Sequence, residues 1–91
     1  MTNEEQVKVR ELVGKISDTC MRIMLETEQR AHVLISALYP SVAVSFSPPS
    51  SDSYWAIAIF DNPEYTTDDI IEKLSDMLAA LEKFLADELA K

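Results

Sequence analysis

The side chains with the greatest chemical reach in this chain are one cysteine, one histidine and a run of carboxylates. They are Cys20, His32, and Asp61, Glu64, Asp68, Asp69 and Glu72. Cys20 falls on an apolar helical stripe with no cation beside it except Arg22, which points elsewhere, so it reads as a small buried hydrophobe and not as a nucleophile. His32 has no nucleophile at triad spacing and no elbow or oxyanion signature, so it reads as a surface or boundary residue. Asp68 and Glu72 stand one helical turn apart, but the acidic run lacks the alternating ligands and central glycine of a calcium loop. There is no glycine-rich phosphate loop, no Cys/His zinc spacing and no basic-aromatic patch. Neither catalysis nor a cofactor is expected.

Charge gives more. The chain has a formal charge of −8, unevenly spread. Residues 1–39 hold five cations against six carboxylates, a balance of −1; residues 40–91 hold three against ten, a balance of −7. From Asp61 to Glu72 there are five carboxylates and no cation. Direct nucleic-acid binding is not expected, because phosphate contacts need a basic surface. An acidic face suits a basic protein partner and speeds the encounter with it; the plainer alternative is a solvated face that serves solubility. Tyr54 and Trp55 adjoin a proline loop, where exposed aromatics often anchor an interface, and Tyr39 is expected near them.

These residues need elements to hold them. Thr2-Asn3-Glu4-Glu5 fits a capping box. Apolar residues then recur from Val9 through Ile16, Cys20 and Ile23/Met24 to Ala31, Leu34/Ile35 and Leu38 at helical spacing. This predicts one helix of about 35 residues, about 54 Å long, ended by Pro40 and weakest across residues 26–30. Met21 and Met24 are expected to fill core. Val42–Phe46 and Tyr54–Phe60 read as strands, with Val42, Val44 and Phe46 facing the core and Trp55, Ile57 and Ile59 meeting them on that face. The sheet's other face would then hold Ser41, Ala43, Ser45, Ala56 and Ala58. Residues 47–53 form a polar loop with an exposed tip. Asp61-Asn62-Pro63 marks a turn, Thr66 or Thr67 caps a second helix, and Asp68 and Asp69 complement its dipole.

The expectation is therefore an α+β fold: a single two-layer α-β-β-α domain over residues 1–91. A two-stranded hairpin is marginal alone, and the overlong first helix leaves an uncovered stripe, so completion by homodimerisation is expected. No apolar run is long enough to span a membrane and the first residues are polar and acidic, so a cytoplasmic protein is expected, in the host cytoplasm if viral. The functional expectation is a non-enzymatic acidic interaction module, in one version a small stoichiometric inhibitor of the phage-encoded kind. Its partner-binding residues would be Asp61, Glu64, Asp68, Asp69, Glu72, Tyr54 and Trp55. The alternative is a binder of a small molecule or nucleotide with a pocket at its oligomer interface.

Overall fold

A computed structural model describes residues 1–49 and 52–91. The element order is α1 (Asn3–Glu26), β1 (Ala31–Ser36), β2 (Ser41–Phe46), β3 (Tyr54–Ile59) and α2 (Thr67–Leu89). The strands form one antiparallel sheet in the order β1-β2-β3, and both helices pack on one of its faces and on each other. The fold is thus α+β, with one strand more than the sequence predicts.

Both helices start as the sequence predicts. The Thr2 N–H donates to Glu5 Oε1 at 2.9 Å, and the Glu5 N–H donates to Thr2 Oγ1 at 3.1 Å. Thr66 and Asp69 repeat this exchange at the head of α2, at 2.9 and 3.2 Å. Each pair satisfies two backbone donors that a helix start leaves open.

The single long helix is overturned. α1 ends at Glu26, and Thr27 takes extended backbone angles. The Thr27 N–H and hydroxyl both donate to the Ile23 carbonyl, and the Gln29 N–H donates back to Thr27 Oγ1 at 3.0 Å. One threonine closes the helix and starts the exit turn. The following Ala-His-Val-Leu-Ile-Ser pairs along its whole length with β2, from Ala31 opposite Phe46 to Ser36 opposite Ser41. Ala31, Leu34, Ile35 and Leu38 match helical spacing by coincidence, since a short apolar run does not distinguish strand from helix by period alone. Pro40 ends a hairpin turn at residues 37–40 and not a helix. At about 36 Å by its helical rise, α1 matches α2 in length, and the overhang that motivated a dimer does not exist.

The face assignment is half right. Val42, Val44 and Phe46 are buried, as expected. On β3, however, the core face is Tyr54, Ala56 and Ala58, which lie opposite Phe46, Val44 and Val42. Trp55 is 67% exposed, and Ile57 and Ile59 are half-buried on the side away from the helices. The volume is already filled: Ile16 and Ile23 of α1 and Leu74, Met77 and Leu81 of α2 are fully buried beside Val42 and Val44. Alanines on β3 leave room for α2 to sit close. Met21 and Met24, expected in the core, are half exposed on the outer side of α1. The Ser47 and Ser53 hydroxyls are bonded at 2.9 Å across the base of the polar loop; its expected exposed tip, Ser50-Ser51, lies outside the described residues.

The sheet therefore has one face under the helices and one bare. The bare face carries His32 and Leu34 from β1, Ala43 and Ser45 from β2, and Trp55, Ile57 and Ile59 from β3.

Candidate interaction groove at the β3 edge

The pairing register decides which backbone groups are free. The Phe60 N–H donates to the Pro40 carbonyl at 2.8 Å, so Pro40 and Phe60 form a hydrogen-bonded pair. Such pairs alternate along an antiparallel ladder. Residues 42, 44 and 46 of β2 thus bond residues 58, 56 and 54 of β3, and Trp55, Ile57 and Ile59 turn their N–H and C=O groups away from β2. Among the described residues no strand lies beyond β3 and no hydrogen bond reaches these three residues from any other segment.

That free edge forms one wall of a groove of about 530 Å³. The opposite wall is the segment before α2 and the first turns of α2. Asp69, Glu72, Lys73 and Asp76 line it at helical spacing, with Glu64 and Tyr65 at one end. All four carboxylates are exposed, and Lys73 is the single cation of the lining. Asp69 is also held by its capping exchange with Thr66, which fixes its direction.

Of the seven predicted partner-binding residues, the groove gathers four: Glu64, Asp69, Glu72 and Trp55. Asp61 and Asp68 are exposed but outside it. Tyr54 is separated from Trp55 by the strand pleat. Its ring stacks on Phe46 at 4.9 Å, on the helix side, and Phe46 in turn stacks on Phe84 at 4.5 Å. Burial, and to a smaller degree the charge of Asp76, raises the Tyr54 pKa. Tyr39 lies in the β1–β2 turn beside the Ser41–Ile59 end of the sheet, about 13 Å along the strands from Trp55, and does not join it. The sequence reading missed Tyr65, Lys73 and Asp76. The signal was available: 69, 72, 73 and 76 share one helical face.

The other candidates behave as solitary residues. Cys20 is buried, and burial pushes its thiol pKa up to about 11, which keeps it protonated and unreactive near neutrality. His32 is exposed on the bare face, across from Ser45. Among the described residues no group of His, Cys, Asp and Glu is placed to hold a metal ion, and no helix is long and apolar enough to cross a membrane. Comparison of the chain with protein-family models, with curated proteins and with solved structures finds no match.

Proposed function

We propose that this chain is a non-enzymatic, acidic protein-interaction module that engages a basic protein surface through the groove beside β3. The observation that carries the reading is the wall of four carboxylates with one cation, set against an unpaired strand edge. Charge of one sign along a cleft attracts the opposite sign and raises the encounter rate. A module of this kind works by occupancy, and blocking a partner's basic surface at one-to-one ratio is the simplest form of that work.

The test is capture from the native host's extract with wild-type protein and with the folded Glu64→Lys/Glu72→Lys variant. Wild type should retain a basic protein that the variant loses, and the purified pair should associate more slowly as salt rises. Equal retention by both, with salt-independent association, would remove the acidic wall from the reading.

A second copy of the chain is the other partner in this reading, at the opposite sheet edge. By the same alternation, Ala31, Val33 and Ile35 of β1 present unpaired backbone groups outward. β1 contains no acidic or basic residue except His32, so two copies meet there without the repulsion that the β3 side would impose. Leu34, Ile35, Leu38 and Tyr39 are 57–83% exposed around it. An uncharged edge of this kind is a liability unless it is covered, and pairing of β1 with β1 would cover it.

A further inference from the structure

We infer that the groove accepts its partner as a fourth strand: an extended segment that pairs with the free edge of β3, with basic and apolar side chains in alternation. This rests on the interaction-module reading and adds to it the conformation and the side-chain pattern of what is bound. A charged surface alone needs no particular backbone in its partner. The unpaired row of Trp55, Ile57 and Ile59 does, because it offers three N–H donors and three C=O acceptors at strand spacing.

The two sides of the groove then dictate the pattern. Residues of the added strand opposite Ala56 and Ala58 send their side chains to the helix side, where Asp69, Glu72 and Asp76 stand; these positions call for lysine or arginine. Residues opposite Trp55, Ile57 and Ile59 share the bare face and extend its row of large side chains; these positions call for valine, isoleucine or threonine. β1 itself carries no carboxylate, whereas the groove beside β3 is lined by four, so charge favours the β3 edge for a basic segment.

The probe is a synthetic peptide of about eight residues alternating lysine with valine or threonine, long enough to span the edge. Three forms are compared: unmodified, N-methylated on the amides that face β3, and N-methylated on the amides that face away. Binding is followed by amide NMR of labelled protein. The unmodified peptide and the outward-methylated peptide should bind alike. Both should shift the amide signals of Trp55, Ile57 and Ile59, slow their hydrogen exchange, and leave Ala31, Val33 and Ile35 unchanged. The inward-methylated peptide should bind at least about tenfold more weakly, because it loses several backbone bonds.

If all three peptides bind equally and Glu72→Lys weakens them equally, the acidic surface stands and strand addition is overturned. Protection appearing at β1 and not at β3 also overturns it. If no form binds at low salt, this inference and the acidic-module reading fall together.

Discussion

Ala56 lies directly opposite Val44 in the β2–β3 ladder, and both side chains are buried on the helix side of the sheet. This pairing sets the phase of β3. Once Ala56 points inward, Trp55 and Ile57 must point to the bare face, and their backbone groups must point to the groove. The core phase and the free edge are thus two consequences of one register.

Overpacking at this pair should be costly and truncation beside it should not. Ala56→Leu is expected to lose about 1–3 kcal/mol of stability, whereas Trp55→Ala should stay within about 0.5 kcal/mol. Urea unfolding of both variants checks this. A Trp55→Ala loss as large as that of Ala56→Leu would mean the opposite phase.

Residues 31–36 should give extended backbone chemical shifts, amide cross-peaks should connect Leu34 with Ala43, and an Hα–Hα cross-peak should connect Val33 with Val44. Thr27→Ala, which removes the hydroxyl bonds to Ile23 and Gln29, should destabilise the fold by about 1 kcal/mol. Helical shifts continuing through Leu34 would restore the single long helix and eliminate β1.

Cys20 should be silent to thiol reagents in the folded protein and react on unfolding. Its raised pKa also gives a pH signature. Between its ordinary 9.0 and about 11, the unfolded chain has lost a proton that the folded chain keeps. Its contribution is therefore complete below pH 9.0 and fades as pH rises through that window. Tyr54 is shifted in the same direction, so the comparison must be with Cys20→Ala, whose stability should fall less steeply with alkaline pH. Parallel curves would show that the thiol ionises as freely folded as unfolded.

Self-association through β1 should appear in light scattering as twice the 10.2 kDa chain mass at micromolar concentration. Ile35→Lys, placed at the uncharged edge, should return the protein to monomer while Glu72→Lys leaves the mass unchanged. A wild-type monomer at high concentration would remove the second copy from the proposal.

Local chemistry made much of this protein legible from its residues. The capping boxes at Thr2 and Thr66, the apolar stripe of α2 and the strand character of Val42–Phe46 depend on neighbours within a turn or a pleat, and sequence carries that information directly. The acidic bias of the second half was equally plain, and four of the seven residues singled out from it and its neighbouring aromatics line the groove. Tertiary structure alone decided the rest. Residues 31–36 fit either a helix or a strand by period, and pairing with β2 selected the strand. Both faces of β3 are apolar, and the choice between them came from the volume that α1 and α2 had already filled. The free edge exists because three strands end the sheet, and its acidic wall exists because α2 runs beside it. Those are relations between segments far apart in the chain, where no local propensity favours one outcome over the other.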